Sequence, residues 1–159
     1  MTFSTADLHD DNQGDVEVCE TQFRSFGQRR AFSGPCVTVK VHEDHRPVKA
    51  LAESPGQGRV LVVDGGGSLR VGLMGDIMAG NAMKNGWAGA VINGVVRDTA
   101  AIDALDFGVK AIGTTARRGT DETPGLVDIP VAFGGVTFEP GAWVYADEDA
   151  VIVSARKLD

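Results

Sequence analysis

Apolar residues fall in short runs broken by glycine, and the runs alternate between strand-like and helix-like spacing. After Gly34-Pro35, the residues Val37, Val39 and Val41 alternate with Thr38 and Lys40, which predicts a half-buried strand over Cys36 to Val41. Arg46 to Ala52 predicts a helix, with Pro47 in its first turn and Asp44 or His45 as cap. Arg59 to Asp64 contains the unbroken run Val60-Leu61-Val62-Val63, as expected of an interior strand covered on both faces. Ser68 to Met74 reads as loop. Gly75-Asp76 then opens a helix reaching about Asn85, with Ile77, Met78, Ala82 and Met83 at helical spacing and Gly86 beyond its end. Ala88 to Asn93 is a further buried strand, and Gly94 to Asp98 is expected to turn into a short helix whose apolar side is Ala100, Ala101, Ile102 and Leu105. Val109 to Gly113 is a third strand of the same type.

Strand, helix, strand, helix, strand in that order predicts parallel pairing, at least locally. The last third differs, with short strands expected at Asp128 to Val131, Val136 to Phe138, Trp143 to Tyr145 and Ala150 to Val153. The first 30 residues are polar, with a short helix near Thr5 to Asp10 and an irregular segment anchored by Phe23 and Phe26. Thr115 to Pro124 is expected to be a mobile loop. The pattern holds no convincing repeat and describes a mixed α/β fold with a β-rich C-terminal third, residues 1–159 forming one domain.

The length of 159 residues suits one core. No apolar run approaches the ~20 residues that span a bilayer, and Met1 to Gln13 has no basic stretch followed by an apolar core, so a soluble cytoplasmic protein without a secretory signal is expected. Fifteen Lys and Arg against 22 Asp and Glu give a net charge of -7, which repels a phosphate backbone and disfavours direct nucleic-acid binding. Cys19 and Cys36 lack CxxC spacing and read as reduced, structural thiols.

The 21 glycines mark turns and close backbone approaches. Gly65-Gly66-Gly67 after a strand invites a dinucleotide or methyl-donor reading, but Arg70 stands at the sixth position and no helix is expected there. His42-Glu43-Asp44-His45 reads as a polar turn before the Pro47 helix rather than a metal cluster, and His9 as an exposed residue. Arg97-Asp98 is more informative, because it follows a buried strand and opens a helix at the carboxyl end of a parallel sheet, where such folds bind ligands. Gly75-Asp76 occupies the corresponding place one unit earlier, and the N–H groups of Gly75, Asp76, Ile77 and Met78 can receive an anion. The plain alternative is that Asp76 and Asp98 merely cap helices while Arg97 pairs with one of them.

The run from Val62 through Gly65-Gly66-Gly67 to Arg70, then Gly75-Asp76, then Gly86-Trp87-Ala88-Gly89-Ala90-Val91-Ile92-Asn93-Gly94-Val95-Val96-Arg97-Asp98 resembles the RraA-like family. The likeness continues through Asp106 to Ala111 and Phe133 to Gly141, and ends in Ala146 to Val153. This family includes the regulator of ribonuclease E activity A and the 4-hydroxy-4-methyl-2-oxoglutarate aldolases. Some relatives carry a menaquinone methyltransferase label, which no methyl-donor pattern here supports.

The resemblance implies an α-β-β-α sandwich like a swivelling phosphohistidine domain, assembled as a homotrimer or a dimer of trimers. For the enzymes it implies cleavage of 4-hydroxy-4-methyl-2-oxoglutarate to two pyruvates, and decarboxylation of oxaloacetate, through a pyruvate enolate. Carried onto this chain, it makes Asp98 the ligand of Mg²⁺ or Mn²⁺ and Arg97 the cation beside the enolate. The Gly75 to Met78 backbone would hold the carboxylate, and Asp76 would orient a water that moves the proton. One departure is Ala101, which stands where aldolases of the family usually carry an acid, with Asp103 two residues further on. These enzymes also draw acids from a longer C-terminal segment of a neighbour. Decarboxylation needs less of the site than aldol cleavage does. The alternative implied by the same family is a non-enzymatic inhibitor that binds ribonuclease E.

Overall fold

The structure is a computed structural model that describes residues 2–119 and 124–159. Its centre is four parallel strands in chain order: β3 (Phe32–Lys40), β4 (Val60–Asp64), β5 (Gly89–Val96) and β6 (Val109–Thr114). Helices α2 (Arg46–Ala52), α3 (Asp76–Lys84) and α4 (Thr99–Ile102) connect them. They bury Val48, Ala52, Met78, Ala79, Ala82 and Ile102 in one apolar cluster with Leu61, Val63, Ala90 and Ile92. The opposite faces of β3, β4 and β5, through Cys36, Val60, Val62 and Val91, join a second cluster.

That second cluster is completed by the β-rich end of the chain. Strand β3 is long enough to serve two partners. Its Cys36–Lys40 half pairs in parallel with β4, while Phe32–Pro35 pairs antiparallel with β10 (Trp143–Ala146). Beyond β10 lie β11 (Val151–Ser154) and β1 (Val16–Val18), and at the other edge β2 (Arg24–Phe26) pairs with β6. Strand β7 (Leu126–Val127) adds to β3, so among the described residues this mixed sheet has nine strands, while β8 (Val131–Phe133) and β9 (Val136–Phe138) form a separate hairpin. Phe133, Phe138, Val144 and Val153 point into the second cluster.

Helix α1 (Thr5–Asp11) agrees with expectation within one residue. It is tied down by Asp147, whose carboxylate accepts hydrogen bonds from the N–H of Thr5 at 2.7 Å and its hydroxyl at 2.8 Å. Several expectations need correction. The segment anchored by Phe23 and Phe26 is irregular only in part: residues 19–23 form no helix or strand, but Phe26 closes β2 and Val16–Val18 form β1 before it. β3 starts at Phe32 and is not half-buried: Thr38 is fully enclosed, its hydroxyl donating to Ile129 O at 2.5 Å. Gly94 to Val96 continue β5 instead of turning, and Ala100 and Ala101 face solvent while Ile102 alone of that helix is buried. Of the loop expected at Thr115 to Pro124, residues 120–123 lie outside the described residues. Cys19 and Cys36 are both buried and free, and burial pushes the Cys36 thiol up to about 11. Among the described residues no helix is long and apolar enough to cross a membrane.

Candidate active site

Val95 and Val96 end β5 in full burial, and the chain then leaves the sheet at Arg97. Asp98 takes a left-handed conformation, φ 58° and ψ 39°, which aspartate tolerates better than most residues. It serves as N-cap of α4, with its carbonyl accepting from Ile102 N at 3.0 Å and its side chain free of capping duty. The segment before α3 runs alongside this strand end: Leu73 N donates to Val95 O at 2.9 Å and Arg97 N to Met74 O at 3.0 Å. Two glycines allow the close approach. A Cβ at Gly75 would lie 2.8 Å from Asp98 Oδ2, and one at Gly72 would lie 3.1 Å from Arg97 Cγ.

These contacts bring every sequence-predicted site residue to one cavity of about 170 Å³. Gly75, Asp76, Ile77 and Met78 line it from α3, and Arg97 and Asp98 from the end of β5. Gly75 is the N-cap of α3 and has no side chain to satisfy the first-turn amides, so these keep their donors for a ligand. The Arg97 guanidinium stands 3.7 Å from Asp98 Oδ2 and donates from Nη1 to Ala116 O at 3.3 Å. The glycine cluster plays another part. Asp64 Oδ1 accepts from Gly66 N at 2.9 Å and Asn93 Nδ2 at 3.1 Å, so Gly65 to Gly67 form a turn latched to β5.

A hard divalent cation suits Asp98. Its carboxylate is partly exposed, accepts no hydrogen bond among the described residues, and meets Arg97 at a distance too long to saturate it. Among the described residues no cluster of three or more His, Cys, Asp or Glu forms a metal cage, so water would complete the coordination shell. Asp103, two residues beyond Ala101, does not line the cavity, and its Oδ1 accepts from Gly27 N at 2.8 Å.

Sequence reasoning missed other lining residues: His45, Lys49, Asn81 and Arg118. Asp44 and Glu43 do form a polar turn, as expected. Asp44 is buried and receives Arg46 N at 3.0 Å and Arg46 Nη2 at 2.8 Å, which holds its carboxyl below the ordinary range. Glu43 accepts from Ser68 Oγ at 3.2 Å. His45, however, turns from this cluster toward the cavity, and no local pattern separates it from His42.

Fold and cavity together define a mixed α/β protein with an Arg-Asp pair and a helix N-terminus converging at the carboxyl ends of parallel strands. Comparison with known proteins makes the class specific: the family model described as Aldolase/RraA matches residues 5–153, and the chain belongs to the RraA-like family. A protein of Aromatoleum aromaticum strain EbN1 is 49% identical over 158 residues, 99% of each chain, and one of Ectopseudomonas mendocina is 47% identical over 99% of this chain and 98% of its own. Both are provisionally named 4-hydroxy-4-methyl-2-oxoglutarate aldolases. Among solved structures, one from Geobacillus kaustophilus described as an S-adenosylmethionine:2-dimethylmenaquinone methyltransferase superposes with TM-score 0.95 at 47% identity, covering 98% of this chain and 97% of that one. The RNA-processing inhibitor RraA from Thermus thermophilis also gives 0.95, at 38% identity over 100% and 96% of the two chains.

Proposed function

We propose that this chain is a divalent-metal-dependent pyruvate lyase that cleaves 4-hydroxy-4-methyl-2-oxoglutarate to two pyruvates and decarboxylates oxaloacetate. The observation that carries the reading is the convergence of Arg97, Asp98 and the open amides of α3 on one cavity. The relatives provisionally named as aldolases support it from the side of sequence.

In the aldol reaction the C3–C4 bond breaks. The 4-hydroxyl loses its proton as C4 becomes the keto carbon of one pyruvate, and the bonding pair passes to C3. The enolate so formed takes a proton at C3 and becomes the second pyruvate. Oxaloacetate follows the same course with carbon dioxide as the departing fragment. The first-turn amides of α3 hold the C1 carboxylate, and Arg97 places a fixed cation beside the developing enolate oxygen. Asp76 holds a water that carries the proton. Asp98 would hold Mg²⁺ or Mn²⁺, which would supply Lewis acidity for the enolate. No lysine Schiff base is required.

Assembly as a homotrimer or a dimer of trimers in the cytoplasm belongs to this reading. Ile77, exposed at the cavity mouth, and Leu69 are apolar surface that a neighbouring subunit would cover. A second reading, inhibition of ribonuclease E, is favoured by the likeness to the Thermus inhibitor and by the acidic surface, which would meet basic segments of that partner.

Pyruvate release from both substrates by purified protein, with Mg²⁺ or Mn²⁺ and then with excess chelator, separates the two. The lyase reading expects metal-dependent turnover that Asp98→Ala abolishes while the circular dichroism spectrum stays native. Turnover at the metal-only background would remove it, and ribonuclease E binding indifferent to Asp98→Ala would put the inhibitor in its place.

A further inference from the structure

A second cavity, of about 420 Å³, shares no lining residue with the active one. The chain joining β1 to β2 and the turn joining β10 to β11 form its walls, and Lys110 of β6 also lines it. Val109 and Ala111 belong to the apolar cluster under the helices, so strand alternation turns Lys110 to the opposite face of the sheet. There it is only 2% exposed.

A lysine buried this deeply ordinarily meets a carboxylate. Lys110 forms no ion pair among the described residues; its Nζ donates to Ser25 Oγ at 2.6 Å and to Arg30 O at 2.8 Å. An ammonium has three N–H groups, and the third finds no acceptor among the described residues. The Phe32 ring, centred 5.9 Å from Nζ, steadies the charge without replacing a carboxylate. Burial lowers the Lys110 pKa below its ordinary value, with Glu148 the strongest opposing influence. The charge is therefore under-compensated where it stands.

Acidic residues line the same cavity. Asp147 is saturated, since it receives Thr5 at two atoms, Asp149 N at 2.9 Å and Ala150 N at 3.2 Å. Glu20, Glu148 and Asp149 are exposed, and their carboxylates accept no hydrogen bond and form no ion pair among the described residues. The cavity thus offers one uncompensated cation at depth and free carboxylates toward solvent. A plain anion would meet those acids on entering, and a plain cation would leave Lys110 without a counter-charge. We propose that this cavity binds a basic α-amino acid, its carboxylate on Lys110 Nζ and its two cationic groups among Glu20, Glu148 and Asp149. A neutral amino acid matches the lysine but leaves most of the acids unanswered. The site stands independently of the lyase reading.

The test is calorimetric titration of the purified protein with L-arginine, set against agmatine, which lacks only the carboxylate. L-Arginine is expected to bind at least about tenfold more tightly than agmatine, as a charge-assisted pair with Lys110 requires. Lys110→Met should reduce arginine to the affinity of agmatine. That change strips Ser25 and Arg30 of their donor and can unfold the chain, so Glu148→Gln, on the surface, serves as the second variant. It should weaken arginine binding about three- to tenfold with thermal unfolding unchanged. No saturable binding of arginine up to about 10 mM, agmatine as tight as arginine, or an arginine affinity unaltered by Glu148→Gln overturns the site.

Discussion

Asp98 owes its position to its own left-handed backbone and to what Gly75 lacks. With φ at -117°, Gly75 sits in a conformation open to alanine, so Gly75→Ala tests proximity rather than backbone strain. The new Cβ would press on Asp98 Oδ2 and push the carboxylate from its place. Lyase kcat/KM is expected to fall more than about tenfold, against a stability loss of about 1 kcal/mol from the poorer cap. Activity within about twofold of wild type would show that the position of this carboxylate is not critical. Arg97 and Asp98 were legible as candidates because they stand where a strand end meets a helix start, and Asp76 because it opens a helix after a loop. His45 and Arg118 were not, because nothing in their neighbours along the chain tells which side chain turns to the cavity; only the docking of α2 and of residue 118 beside Gly72 decides it.

At the level of elements, the parallel units were legible from their unbroken apolar runs, which only an interior strand can bury. Strands β1 and β2 were not, since Val16–Val18 and Arg24–Phe26 are short, largely exposed edges whose partners, β11 and β6, lie far along the chain. The same distant pairing anchors α1, where Asp147 receives Thr5 at its N–H and hydroxyl and also the N–H of Asp149 at 2.9 Å. Burial raises the Asp147 pKa, but these hydrogen bonds together outweigh it, and the carboxyl lies below its ordinary 3.8. The unfolded chain thus binds the proton more readily. The stabilising contribution is complete above 3.8 and is lost as pH falls through the lower folded value. Asp147→Asn should cost about 1–3 kcal/mol at pH 7 in urea unfolding, with a shallower loss of stability on the acid side. A variant as stable as wild type, with the same acid limb, would contradict this account of how α1 is held.

Across the whole molecule, the sheet divides labour between its two faces. The C-terminal strands cover one face and leave the strand ends open, while α2 and α3 cover the other and frame the cavity. The mixed α/β class and its β-rich end were legible because the apolar rhythm changes after Thr115. The switch of β3 between two partners was not, because Gly34 and Pro35 obscure the strand before Cys36. What this architecture is proposed to supply is a place where a pyruvate enolate is stable. That claim is tested most directly by incubating pyruvate with the protein in D₂O and following its methyl protons by NMR, without any bond to cleave. The account predicts Mg²⁺- or Mn²⁺-dependent deuterium exchange that chelator abolishes and that Asp98→Ala and Arg97→Ala lose. Exchange no faster than with metal alone, in a folded wild-type protein, would contradict it.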